Sequence, residues 1–229
     1  RMGLLVWQDM PNGGVNARWP RDGTELRRDE GEKAQFDREL DALIDTHRNQ
    51  VSIVAWVPFN EAWGQFDTAR VTRHIERKDP GRLVISASGG NDFGVGHIHD
   101  IHEYPGPRRP PAEAVRAAVL GEYGGLGLPL KGHTWQNEKN WGYRSFKNRA
   151  ELQKNYLGLT RKLRPKIETC LSAAIYTQTT DVEVEVNGLM SYDREVLKFD
   201  AGQLAKAHQA LYAAVSYTHL RAHEPEADL

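Results

Sequence analysis

Short runs of β-forming apolar residues recur along this chain at intervals of roughly 20 to 50 residues, and helix-patterned stretches fill most of the gaps. The runs read as strands over Gly3–Trp7, Val51–Val57, Arg82–Ala87, Asp100–Tyr104, Val115–Gly121 and Leu171–Thr177. Between and after them, apolar residues at three- and four-residue spacing predict helices over Glu30–Asn49, Phe66–Lys78, Ala150–Leu163 and Asp200–Val215. Strand and helix in alternation mean a parallel sheet covered by helices, an α/β fold. Six strands do not close a (β/α)8 TIM barrel, which takes about 250 residues. The expectation is therefore a partial barrel of about six βα units, its strands three to eight, over residues 1–215, with the first two strands upstream.

The strand ends carry the chemistry. In a parallel barrel the carboxyl ends of the strands face the active site. The apolar run to Val57 breaks at Pro58 and delivers Asn60, Glu61 and Trp63, while the run Val115–Gly121 delivers Glu122. Asp9, Asn91 and Asp92, and Gln178 with Asp181 stand at three further strand tips. A glycosidic bond is hydrolysed by one carboxylic acid that protonates the leaving oxygen and one carboxylate that faces the anomeric carbon. Glu61 and Glu122 are the candidate pair. Taken singly, each is better explained as a helix cap or a solvated residue, and only the pair with its neighbours favours catalysis; the polar groups at the other tips are as well explained as caps. Asn60 can bond a sugar hydroxyl, Tyr104 can donate to Glu122, and Trp63 and Trp135, beside glycines or in loops, offer faces for stacking on a sugar ring. Trp56 reads as core.

Charge and composition narrow the partners. Lys+Arg 30 against Asp+Glu 31 leave a formal charge of −1, which gives no electrostatic pull toward nucleic acid or an anionic membrane. A neutral carbohydrate fits better. Cys170 is the sole cysteine, so no intrachain disulfide can form, and no apolar run approaches the ~18 residues of a membrane span. Compartment is left open.

Five stretches, in order, carry a resemblance. Trp56-Val-Pro-Phe-Asn-Glu61 with Trp63-Gly-Gln65, Ser88-Gly-Gly-Asn-Asp92, His102-Glu-Tyr-Pro-Gly-Pro107, Gly121-Glu-Tyr-Gly-Gly125 and Tyr176-Thr-Gln-Thr-Thr-Asp181 are similar to the catalytic barrel of glycoside hydrolase family two. That family contains β-galactosidases, β-glucuronidases and β-mannosidases. The resemblance implies a retaining, exo-acting β-glycosidase with Glu61 as acid/base and Glu122 as nucleophile. It further implies that Asn60 contacts the hydroxyl next to the anomeric carbon and that Tyr104 hydrogen-bonds the nucleophile. Tyr176 falls where relatives often place a tryptophan under the sugar. No cofactor is implied, and N-terminal β-sandwich domains are expected in the full-length protein. The rival readings are an inactive or carbohydrate-binding barrel fragment and a metal-dependent hydrolase.

The metal reading would start from His97, His99 and His102, with Asp9, Asp92 and Asp100 as further ligands. A lone His-x-His is a weak signal, so no metal is assigned. His99 and His102 are read as lining the sugar pocket or packing locally, and His97 as a loop residue. Residues 216–229 continue neither helix nor recognisable loop and resemble translated adapter sequence, so they are expected to be a non-native, disordered tail, and His219 and His223 carry no role.

Overall fold

The computed structural model describes residues 3–11 and 22–212. The tail beyond Val215, with His219 and His223, lies outside them, as do residues 12–21 of the polar loop. The chain is a mixed α/β fold whose strands pair in parallel within small sheets. No closed barrel is formed among the described residues. Its described residues divide into two compact units, one holding those up to 102 with 109–122 and 172–174, the other holding 103–108, 123–171 and 175–212.

In the first unit, β1 (Val6–Asp9), β2 (Ile53–Val57) and β3 (Leu83–Val84) form one parallel sheet in that order. A second sheet has the order β4 (Ile98–Glu103), β5 (Ala117–Gly124), β8 (Leu171–Thr177). A single parallel bridge from Ile85 to Ile98 continues β3 toward β4. The first strand starts later than its apolar run, because Leu4 and Leu5 are exposed and unpaired in the ladder. The fifth runs on through Glu122, because backbone pairing does not depend on whether a side chain is apolar.

Helix α1 (Glu30–His47) begins where a capping box dictates: Asp29 accepts from the Glu32 backbone N–H, and the Glu32 side chain reaches back to the Asp29 N–H. Its buried face, Phe36, Leu40 and Ile44, packs with Val71 and Ile75 of α2 (Thr68–Lys78) around Trp56, Phe59 and Phe66. Phe36 stacks on Phe59 at 5.4 Å, and Phe66 meets both edge-on. The other face of β2 is buried too. Ala55 and Val57 close a second cluster with Ile85, Ile98 and Val119. A strand buried on both faces is the mark of a helix-covered parallel sheet.

In the second unit, α3 (Arg149–Ile167) and α4 (Ala201–Tyr212) pack through Tyr156, whose ring meets Tyr176, Phe199 and His208. The helix α3 carries Pro165 in its last turn, where one missing N–H costs a single intrahelical bond. Two-residue strands β6 (Leu126–Gly127) and β7 (Arg144–Ser145) pair in parallel. No helix among the described residues is long and apolar enough to cross a membrane.

Candidate active site

The candidate acid/base leaves β2 through a strained turn. Glu61 and Ala62 have φ of 51° and 64°, the left-handed region that L-residues avoid, and the turn is held by Glu61 N–H donating to Ser88 O at 2.7 Å. Asn60 pairs with Ser88 in a parallel bridge, so the ends of β2 and β3 deliver their polar groups together. The Asn60 Oδ1 is buried without a hydrogen-bond partner among the described residues.

Around Glu61 the strand order brings three more elements. His102, on β4, has a side chain only 2% exposed. Its Nδ1 lies 3.0 Å from Glu61 Oε1 and 3.4 Å from Glu122 Oε2 of β5. One oxygen of each glutamate and this nitrogen all fall within 4.8 Å of one another. The other ring nitrogen, Nε2, is 2.8 Å from Ser88 Oγ, which donates to Asp100 Oδ2 at 2.7 Å. Asp100 is fully buried and accepts from the Gly121 backbone N–H at 2.5 Å.

Two motif glycines make this cluster sterically open. A Cβ on Gly89, which has φ +59°, would overlap the His102 ring, and one on Gly121 would overlap the Asp100 carboxyl group. The glycines of Ser88-Gly-Gly and Gly121-Glu-Tyr thus mark the space taken by a buried histidine and a buried aspartate.

Burial sets the protonation. It pushes the Asp100 carboxyl up to about 6, with His102, Ser88 and Gly121 opposing and nearby Asp9 adding to the rise. Burial by itself would lower the His102 pKa. The hydrogen bond to Glu61 and the charges of Glu122, Asp100 and Glu61 outweigh it, and the imidazole is raised above its ordinary value. Asp9 is exposed at the end of β1. Protein atoms crowd its carboxylate nonetheless and raise its pKa, against the pull of His102.

Other residues singled out from the sequence take various places. Trp63 is 40% exposed. Asn91 ties down the loop before α1, accepting from Gly23 N–H and donating to Thr24 O. Asp92 is held bidentately by Arg116 at 2.7 and 2.9 Å, and its pKa is lowered chiefly by that contact. In the second unit, Tyr104 donates to Thr177 Oγ1 at 3.0 Å and stacks on Tyr143. Trp135 leans on Tyr192, Tyr176 sits among Tyr123 and Tyr156, and Gln178 donates to Asn187 at 2.8 Å. A surface groove of about 670 Å3 along α3, lined by Arg149, Lys154, Arg161 and Gln203 among others, contains none of the candidate residues.

Among the described residues, two further sets of histidine and carboxylate groups have donor atoms within the same limit: Asp92, His99 and Glu113, and His133, Asp193 and Glu195. Both are closed by hydrogen bonds. Arg116 spans Asp92 and Glu113 while His99 bonds Glu113 at 2.6 Å, and His133 bonds Asp193 at 2.7 Å.

Ser88, quoted above in a motif without a role, and Asp100, named above only as a possible metal ligand, are the residues that the structure joins to His102. The signal was the two-residue period of β4, which puts Ile98, Asp100 and His102 on one face. Compared with protein-family models and with curated proteins, the chain matches none.

Proposed function

We propose that the chain is the catalytic part of a retaining, exo-acting β-glycosidase acting on a neutral terminal sugar, and that its two three-stranded sheets belong to a (β/α)8 barrel of which these are six strands. The observation that carries this reading is the spacing of Glu61 and Glu122, with carboxylate oxygens within 4.8 Å. Retaining glycosidases hold their two carboxyl groups about 5–5.5 Å apart, whereas inverting ones need roughly 6.5–9.5 Å to admit a water. A pair this close supports attack by a carboxylate on the sugar. The parallel order β1-β2-β3 and the bridge from Ile85 to Ile98 support the barrel, since a strand order that follows the sequence is how a barrel is wound.

Glu61 donates its proton to the glycosidic oxygen as the bond to the anomeric carbon breaks. Glu122 forms the new bond to that carbon from the opposite face. The glycosylated Glu122 no longer carries a negative charge, so Glu61, now a carboxylate, takes a proton from water, and the hydroxide equivalent releases the sugar. The buried Oδ1 of Asn60 is an acceptor suited to a sugar hydroxyl. Tyr104 and Tyr176 enter as substrate contacts from the sequence resemblance, and Trp63, Trp135 and Gln178 from their places in loops and at a strand tip.

The test is a panel of aryl β-glycosides followed by a 2-fluoro glycoside of the preferred sugar. Turnover with a covalent adduct on Glu122 is expected. Sugar binding without turnover or adduct favours the carbohydrate-binding reading, and an adduct on another residue removes the nucleophile assignment.

A further inference from the structure

Asp100, Ser88, His102 and Glu61 form an unbroken line of hydrogen-bonding groups, at 2.7, 2.8 and 3.0 Å from one pair to the next. The two interior members, the Ser88 hydroxyl and the His102 imidazole, can each donate on one side while accepting on the other. We propose that this line is a proton chain, in which one proton is shared among Asp100, His102 and Glu61, and that His102 and Ser88 are positioning residues which keep Glu61 supplied as the acid. The catalytic use of the chain rests on the glycosidase reading above.

Three arrangements have the same number of protons. With the proton on Asp100, the acid O–H donates to Ser88 Oγ, the Ser88 O–H donates to His102 Nε2, and Nδ1–H donates to the Glu61 carboxylate. Breaking the Asp100 O–H, forming a new one at Ser88 and passing the old Ser88 proton to Nε2 gives the imidazolium, with the Asp100 carboxylate now accepting from Ser88. Breaking Nδ1–H and forming O–H on Glu61 gives the acid form, with a neutral imidazole still donating from Nε2 to Ser88. No oxidant or outside group is consumed.

Several features point to the chain being built rather than incidental. Four acidic groups face the one imidazole: Asp9 from β1, Glu61 after β2, Asp100 on β4 and Glu122 on β5. Four carboxylates at full charge around one imidazole would repel strongly, so protons held among them relieve the cluster. His102 and the Asp100 end of the line are sealed from solvent, with side-chain exposures of 2% and 0%. Gly89 and Gly121 leave the space these two side chains fill, since a Cβ at either position would overlap them. Burial also holds Asp100 within reach of neutral pH.

The chain is tested on the full-length chain without substrate, by following the His102 ring nitrogens and the Asp100 carboxyl carbon by NMR across pH. Coupled, two-step curves shared by the two residues are expected in the wild type. Ser88→Ala removes the hydrogen-bonded relay and leaves only the direct charge interaction across 4.0 Å, so the coupling should weaken markedly. Asp100→Asn keeps the acceptor for Gly121 and donates permanently to Ser88, so it should hold His102 neutral, with Nε2 as acceptor, at pH values where the wild-type ring is charged. In kinetics, both variants should move the alkaline limb of kcat/KM to lower pH by about one unit, a shift that a loss of packing alone would not produce. Independent titration of His102 and Asp100 in the wild type, or pH profiles of both variants that superimpose on it, would overturn the chain. If no 2-fluoro glycoside labels Glu122, the glycosidase reading and the catalytic use of the chain both fail, whereas coupled NMR curves that weaken in Ser88→Ala would still establish the shared proton.

Discussion

The Nδ1 of His102 lies 3.0 Å from Glu61 and 3.4 Å from Glu122, so one buried imidazole spans the two carboxylates that the strand ends present. The imidazole between the two carboxylates makes them inequivalent, since Nδ1 lies nearer Glu61 and Glu122 is the more exposed, at 28% against 12%.

That inequivalence gives the first prediction. Glu61→Gln keeps the shape and removes the transferable proton. It should lower kcat/KM roughly 10²- to 10⁴-fold for alkyl glycosides, whose leaving oxygen needs the proton, and far less for activated aryl glycosides. Glu122→Gln should abolish both alike. Equal losses on the two substrate classes in Glu61→Gln, measured by steady-state kinetics, would remove the acid assignment.

Stability should fall as pH rises through the range in which Asp100 and His102 titrate. Asp100 goes from an ordinary 3.8 to about 6 on folding, so the folded chain holds more protons than the unfolded one between those values. A cost on the order of 2–3 kcal/mol therefore accrues from about pH 4 to 6 and is fully present above. His102, raised above 6.5, contributes stability below its unfolded pKa and loses it as pH rises through the folded value. Urea denaturation at stepped pH, wild type minus Asp100→Asn, isolates this from surface carboxylates such as Asp92 and Glu113, whose lowered pKa values act in the opposite direction. A difference that stays flat from pH 4 to 6 would contradict the burial assigned to Asp100.

Gly121→Ala tests the space beside Asp100. The new methyl group overlaps the buried carboxyl group, and the neighbour cannot retreat, since it is bonded to Ser88 and to the Gly121 N–H. Destabilisation at or above the upper end of the roughly 1–3 kcal/mol of overpacking is expected. Asp100→Ala in the same chain should recover part of it, because the methyl then fills the space vacated. Simple additivity in that double-mutant cycle would show that the two residues do not meet.

Much of this architecture was legible from periodicity and caps. The start of α1 follows from Asp29 and Glu32, and β8 spans the residues its apolar run marks, Leu171–Thr177. Glu61 and Glu122 were legible because a carboxylate just after an apolar run is conspicuous. The third strand was overestimated: only Leu83–Val84 pair regularly, while Ile85 and Ser88 make isolated bridges. In the sequence Asp100 stands only as a further ligand for the unassigned metal, because its partners lie at Ser88 and Gly121, far from it in local spacing, and nothing in that spacing records which side chain fills a glycine's empty side. Asn91 and Asp92 show the limit of reading polar tips one by one. Their contacts with the Thr24 loop and with Arg116 depend on segments far along the chain.

The last prediction concerns the second unit. Lys198 and Asp181 form an ion pair at 2.6 Å with side-chain exposures of 0% and 1%, and burial lowers the lysine pKa while raising that of the aspartate. The lysine also donates to Val186 O, and Asp181 accepts from Gly188 N–H, so the pair stitches the segment after β8 to itself. Removing one charge leaves the other buried and unpaired, which costs about 3–5 kcal/mol, whereas removing both together is often near neutral. Lys198→Met should therefore lower the unfolding midpoint sharply, and Asp181→Asn added to it should restore most of the loss, since asparagine can still accept from Gly188. A double variant as unstable as Lys198→Met alone would mean that the lysine acts through its stem and its bond to Val186 rather than through its charge.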